Sequence, residues 1–397
     1  MSKPSDSTKP DTILATAGRQ PDENFGIVNP PVYHASTITF SSVAAWEKAQ
    51  NAPFDHYTYG RSGTPTQRAL EDAFAALEGC HRVIAVQSGL AAITGAIMGF
   101  VQAGDHMLVV DTAYGPTRRF ANNVLKKFAV ETTYYDPMAG AAEVERLIRP
   151  NTKLVFVETP GSLTFEVQDI PAVAAVAHKH GALVATDNSW ATPLFYRPFE
   201  RGVDISIYAA TKYIVGHSDA MLGLICCPTR EIYATIKGVT ATFGYHAAPD
   251  DCYLGLRGLR TLGVRLRQHE KNALAIAHWL KARPEVARVL HPAFPECPGH
   301  DIWKRDFTGS SGLFSFILKP GYAKQAVDAF IDNLRYFGLG ASWGGYESLI
   351  LRAKPEQYRT ARPWPTEDVL IRLHIGLEDV DDIKADLAQA FEKMNAA

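Results

Sequence analysis

Between about residues 61 and 230 the chain repeats one unit, a short and continuously apolar run followed by a helical stretch. The runs are RVIAVQS, HMLVVD, VETTYYD, TKLVFVETP, ALVATDN, ISIYAAT and MLGLICC, with helical periodicity at 89–101, 115–128, 141–148 and 169–180 between the earlier ones. Strands that are apolar throughout, rather than on alternate residues, suit a parallel sheet covered on both faces. The repetition predicts an α/β fold with a mostly parallel central sheet and helices on both faces. A helical region at about 252–282 follows. Residues 286–397 then mix strands (VARVLHP, GLFSFIL, SLILRA, LIRLHIG) with helices near 322–331 and 379–394, which predicts a smaller α+β domain.

Residues 1–60 lack this periodicity. They are Pro-rich and carry the aromatic clusters VYHASTITF and FDHYTYG, a pattern expected to wrap over another surface rather than to pack alone. The expected organisation is an N-terminal arm over 1–60, an α/β domain over 61–258 and a C-terminal α+β domain over 259–397. A chain of 397 residues exceeds one core, and 46% apolar residues supply enough material for two. The net charge of -2, without a Lys or Arg run, argues against nucleic acid and anionic membrane as partners. MSKPSDSTKPDT has no apolar signal core, and the longest apolar stretch, GLAAITGAIMGFV, is too short and Gly-rich to span a bilayer. Five cysteines without CxxC spacing point to reduced thiols in a cytoplasmic protein and to no metal site.

Three features of the α/β half point to one kind of ligand. In QSGLAAI a strand ends at Ser88-Gly89 and an apolar helix begins. The unpaired N–H groups of such a helix start can hold a phosphate, although Ser88 alone is equally an ordinary cap. Asp187 ends the strand ALVATDN, at the sheet edge where α/β proteins bind ligands. Lys212 sits between ISIYAAT and MLGLICC with no acid before Asp219. Partial desolvation there lowers an amine's pKa and suits Schiff-base chemistry. Thr211 and Gly216-His217-Ser218-Asp219 make this a long polar cluster between buried strands, tolerated where a polar ligand fills the space. His178 and His180, at i,i+2 on a helix, point apart and make no metal pair. Tyr134-Tyr135 reads as strand packing.

From about Val28 to the C-terminus the chain resembles the Cys/Met-metabolism group of fold-type I pyridoxal-phosphate enzymes. The marks are NPPVYHAST, YTYGRSGTPT, QSGLAAI, Asp187 with Thr211-Lys212, GHSD and SWGGYESL, in that order along the chain. The resemblance implies pyridoxal 5'-phosphate as cofactor, with Lys212 carrying it as a Schiff base and moving the substrate's Cα proton. It implies that Asp187 pairs with the pyridinium nitrogen and that Tyr114 stacks on the ring. Ser88, Gly89, Leu90 and Thr211 hold the phosphate from their own subunit. Tyr59 and Arg61 reach the phosphate of a neighbour, so the arm contacts that subunit and the assembly is a dimer with shared sites, doubled to a tetramer. Tyr59 and Tyr114 join Lys212 in the catalytic set. Ser342, Trp343 and Arg372 bind the substrate.

Ala209, where many γ-type relatives carry Ser, and Trp343 resemble the β-eliminating branch. The implied reaction is α,β-elimination of cystathionine, a small-molecule sulfur amino acid, in transsulfuration and methionine biosynthesis. The segment GRSGTPT lies between β- and γ-type patterns, which leaves γ-elimination or γ-replacement as the alternative. A non-catalytic binding or regulatory relative would be free to lose Lys212, Asp187 or Arg372, and all three are present.

Overall fold

The computed structural model describes residues 8–52 and 54–397. The first seven residues of the arm, with their share of the expected leaderless N-terminus, and residue 53 lie outside the described residues.

The seven apolar runs form one sheet. Its strands are β1 (Arg82–Val86), β2 (His106–Val110), β3 (Glu131–Tyr135), β4 (Thr152–Glu158), β5 (Leu183–Asp187), β6 (Ile205–Tyr208) and β7 (Gly223–Cys227). They lie in the order β1-β7-β6-β5-β4-β2-β3. Only the pairings made by β7 are antiparallel. Every residue of β2, β6 and β7 is buried, as continuous apolar runs demand of a sheet covered on both sides. Helices Gly89–Met98, Gly115–Asn123, Ala141–Leu147 and Ile170–Lys179 follow their strands where the periodicity places them.

A second sheet contains β8 (Val286–Leu290), β9 (Leu313–Leu318), β10 (Phe337–Leu339), β11 (Ser348–Ala353) and β12 (Leu370–His374). Its order is β10-β11-β12-β9-β8, antiparallel except for β10 with β11. One 33-residue helix, Pro249–Lys281, joins the two halves and runs through residue 258. At 1.5 Å per residue it spans about 50 Å. Leu256, Leu259, Leu262 and Leu266 pack into the core beside the first sheet, and Ala273, Ile276, Ala277 and Leu280 into the core of the second. A polar tie links the halves as well. Buried Asp111, just past β2, accepts the backbone N–H groups of Thr360, Ala361 and Arg362 and pairs with Arg118 and Arg359.

The arm is anchored at its start, where Arg260 donates to the carbonyls of Leu14 and Ala17 at the end of helix Pro10–Thr16. Beyond that helix Phe25, Val28, Tyr33, Val43, Trp46 and Tyr59 are exposed.

Candidate active site

The carboxyl ends of the parallel strands converge on one place. β1 delivers Ser88, β4 Glu158, β5 Asp187 and β6 the turn from Ala209 to Lys212. Ser88 caps helix Gly89–Met98 by accepting the N–H of Ala91 at 3.1 Å. The cap reading is therefore met, while the N–H groups of Gly89 and Leu90 keep no intrahelical partner, as in any first turn. Leu90 is exposed. A Cβ at Gly89 would fall 2.6 Å from the Ala209 Cβ, so glycine is what lets the helix start touch the lysine turn. Thr211 closes that turn: its hydroxyl accepts the Leu222 N–H at 2.8 Å and donates to the Leu222 carbonyl at 3.1 Å.

Lys212 Nζ donates to Ser342 Oγ at 2.8 Å and lies 5.2 Å from the Trp343 ring. Burial, reinforced by the Arg372 charge and opposed by Asp187, lowers its pKa to about 8. Arg372 projects from β12 and donates to the carbonyls of Ser342 at 3.0 Å and Gly340 at 3.4 Å. Burial brings this guanidinium down to about 10. Trp343 also packs against Tyr213, ring centres 5.5 Å apart.

Asp187 accepts both the N–H and the hydroxyl of Ser189, at 3.0 and 2.6 Å, and both fall on Oδ1. Ser189 is itself fixed by the Ala209 N–H at 2.7 Å. Burial raises the Asp187 pKa against those bonds and the Lys212 charge. Glu158, which the sequence reading leaves out, is register partner to Asp187 and accepts the Tyr114 N–H at 2.7 Å. Its signal was the one that marks Asp187, a carboxylate ending an apolar strand. Tyr114 opens helix Gly115–Asn123, and burial, with the Asp187 and Glu158 charges, raises its phenol.

The fold thus gathers Lys212, Asp187, Tyr114, Ser342, Trp343 and Arg372, with Ser88, Gly89, Leu90 and Thr211 at the adjoining helix start and turn. Tyr59 and Arg61 stand elsewhere: Tyr59 is exposed and bridged to Thr37, and Arg61 donates to the carbonyl of Ala241. His178 pairs with Asp204 and His180 with Glu145. Among the described residues no group of three His, Cys, Asp or Glu side chains could hold a metal ion, and no helix is long and apolar enough to cross a membrane. Tyr135 is buried and donates to Gln168, while Tyr134 lies under the Arg118 guanidinium, so both serve packing.

A lysine of lowered pKa opposite a carboxylate, at the strand ends of a mostly parallel sheet and beside a glycine-led helix start, defines a cofactor-dependent α/β enzyme site. The chain belongs to the Cys/Met metabolism PLP-dependent enzyme family, whose profile matches residues 11–392. It is 52% identical to a putative cystathionine beta-lyase of Rhizobium johnstonii, over 97% of this chain and 96% of that one. It is 45% identical to the cystathionine beta-lyase MetC of Escherichia coli, over 97% and 99%. Its fold matches the crystal structure of a cystathionine gamma synthase from Xanthomonas oryzae with a TM-score of 0.90 at 33% identity, covering 98% of this chain and 99% of that one. Pyridoxal phosphate is the cofactor of the family.

Proposed function

We propose that the chain is a carbon–sulfur lyase that cleaves cystathionine by α,β-elimination to homocysteine, pyruvate and ammonia. The observation that carries this reading is Lys212, an amine brought down to about 8, hydrogen-bonded to Ser342 and set between the charges of Asp187 and Arg372. The cofactor supplies an electron sink for the negative charge left at Cα when a proton is removed. The residues present fit it. Lys212 would hold its aldehyde carbon, Asp187 its ring nitrogen and Tyr114 its face. Ser88, Gly89, Leu90 and Thr211 would hold its phosphate at the helix start. Both Ser189 bonds on Asp187 fall on Oδ1, which leaves Oδ2 for the ring nitrogen.

The other residues divide the remaining work. Lys212 is a base matched to near-neutral pH and moves the Cα proton. The planar fork of Arg372, with Ser342, takes the substrate carboxylate. Trp343 walls the side chain and limits its rotation. Trp343 also separates this reading from γ-type chemistry, the kind named in the similar γ-synthase. Tyr59 and Arg61 serve the site of a second copy. The exposed apolar arm, from Phe25 to Tyr59, fits burial in a homodimer doubled to a tetramer. Free cysteines, four of them buried, suit the cytoplasm.

Two measurements test the reading. L-Cystathionine should yield pyruvate and homocysteine, whereas 2-oxobutyrate with cysteine would replace it by γ-elimination. Borohydride reduction of the yellow holoenzyme should fix the cofactor to Lys212, and a label on another lysine would overturn the assignment.

A further inference from the structure

The turn after Lys212, residues 216–219, meets the loop from 340 to 347 that joins β10 to β11. Two side-chain hydrogen bonds cross between them. One runs from Lys212 Nζ to Ser342 Oγ, and the other from Ser218 Oγ to Glu347 Oε1 at 2.5 Å. The close approach depends on two glycines. Gly344 has φ +86, and a Cβ there would fall 2.8 Å from the Tyr213 nitrogen and 2.9 Å from the Lys212 Cα. A Cβ at Gly345 would fall 2.1 Å from Ser218 Oγ. Ser218 itself holds a left-handed backbone, φ 58, which a serine keeps only when its surroundings impose it.

The loop is anchored on its own sheet at each end. Arg372 holds the carbonyls of Gly340 and Ser342 at the front. At the back Ser348 is bound through its N–H and hydroxyl to Glu378, and Leu377 donates to the Tyr346 carbonyl. Those anchors fix the loop to the second sheet but not to the lysine turn. The Lys212–Ser342 bond cannot do so during turnover, because the amine leaves Ser342 whenever it is engaged in the reaction. The Ser218–Glu347 bond involves no reacting atom and persists.

We propose that Ser218 and Glu347 are positioning residues, a clasp that holds Ser342 and Trp343 in register with Lys212 while the amine is occupied. This rests on the lyase reading for its effect on products but not for its effect on the loop. Glu347 suits the task. Its backbone carbonyl is fixed by His374 Nδ1 at 3.0 Å, and a short bond from a hydroxyl to a carboxylate is stronger than one between neutral groups. The clasp acts on specificity. With it open, the indole of Trp343 keeps only its packing on Tyr213 to hold it against the lysine turn, and discrimination between β- and γ-cleavage falls with the rate.

The test uses Ser218→Gly, which removes the hydroxyl while glycine accepts the left-handed backbone, together with Glu347→Gln and the double variant. In the holoenzyme without substrate, amide hydrogen exchange over 342–347 should quicken about tenfold in Ser218→Gly, the equivalent of one hydrogen bond. With cystathionine, kcat should fall by a similar factor, KM and bound cofactor should stay near wild type, and the share of 2-oxobutyrate should rise. The double variant should be no worse than the worse single one. Unchanged exchange in a folded Ser218→Gly, or losses that multiply in the double variant, would overturn the clasp. Failure of the wild type to make pyruvate would overturn the lyase reading alone, since the exchange measurement needs no substrate.

Discussion

Glu158 and Asp187 are register partners at the carboxyl ends of β4 and β5, so two half-buried carboxyls stand side by side at the floor of the site. Two such groups do not both ionise readily, and their protons belong to the pair. Burial lifts Glu158 far above the usual carboxylate range, with the Asp187 charge adding to it and one N–H opposing. Asp187 is raised too, but two Ser189 bonds and the Lys212 charge favour its ionised form. These opposing causes favour the proton on Glu158 and the charge on Asp187.

Substitution should separate the two. Asp187→Asn keeps the shape and loses the charge, so kcat should fall by about 100-fold or more with little change in KM. Glu158→Gln imitates the protonated form and should leave kcat within about threefold at pH 7. Steady-state kinetics of both variants decide it; an equal loss in Glu158→Gln would place functional charge on both groups.

The pattern of apolar runs was enough to read all seven strands of the first sheet, because a strand buried on both faces has no polar alternation to hide it. Strand β10 is three residues long and offers no period to detect. Helix Pro65–Glu78 begins with a capping box, Thr64 with Gln67, but its periodicity is not singled out by the strand–helix alternation that starts beside it. The placement of Lys212 between apolar strands and of Asp187 at a strand end was legible, although position alone favoured a cap or loop carboxylate for Asp187. Glu158 carried the same strand-end signal as Asp187, whereas Ser189 and Glu347 did not stand out, since each acts through a partner brought near by local turn or loop packing. The Asp111 tie to residues 360–362 spans some 250 positions and leaves no local trace.

Glu78 and His269 give the fold opposing pH dependences. Burial raises the Glu78 carboxyl to about 8, with Tyr208 donating to it at 2.7 Å. Its folded pKa exceeds the unfolded 4.5, so its contribution to stability is full below about 4.5 and is lost as pH rises through about 8. Burial lowers His269 to about 4, so its contribution is full above about 6.5 and is lost as pH falls through about 4. In Glu78→Gln the first dependence disappears. Urea unfolding should show the variant gaining on wild type between pH 5 and 8, at no more than about 1.4 kcal/mol per pH unit. A stability difference that is constant with pH would contradict a protonated Glu78.

Shared sites predict complementation between inactive chains. On the proposed shared site, Arg61→Ala should lose activity because a second copy's site lacks the guanidinium, and Lys212→Ala because its own site lacks the base. A mixed dimer of the two has one site with both groups intact. Refolding or subunit exchange of an equal mixture should restore about a quarter of the wild-type activity if chains pair at random and sites act independently. Activity in a verified monomer, or none in a verified mixed dimer, would exclude the shared site.

Trp343 should decide which bond breaks. Its ring stands 5.2 Å from Lys212 Nζ and packs on Tyr213, so it is held by the residue that follows the lysine. In the proposed reading Ser342 on the same loop and Arg372 on β12 take the substrate carboxylate, which leaves the side chain to lie along the indole. A wall there favours a single rotamer about Cα–Cβ, with the Cβ–S bond aligned for expulsion once the Cα proton is gone. Leucine in its place leaves room for the side chain to turn and present a Cβ hydrogen, the first requirement of γ-cleavage. Trp343→Leu should therefore slow pyruvate formation from cystathionine by about tenfold or more while KM changes less, because the carboxylate contacts stay. The ratio of 2-oxobutyrate to pyruvate should rise. Trapping both keto acids with phenylhydrazine and separating the adducts gives that ratio directly. If the ratio and both rates stay at wild-type values, the indole only fills space between Tyr213 and the core, and the β-selectivity must come from the lysine turn instead.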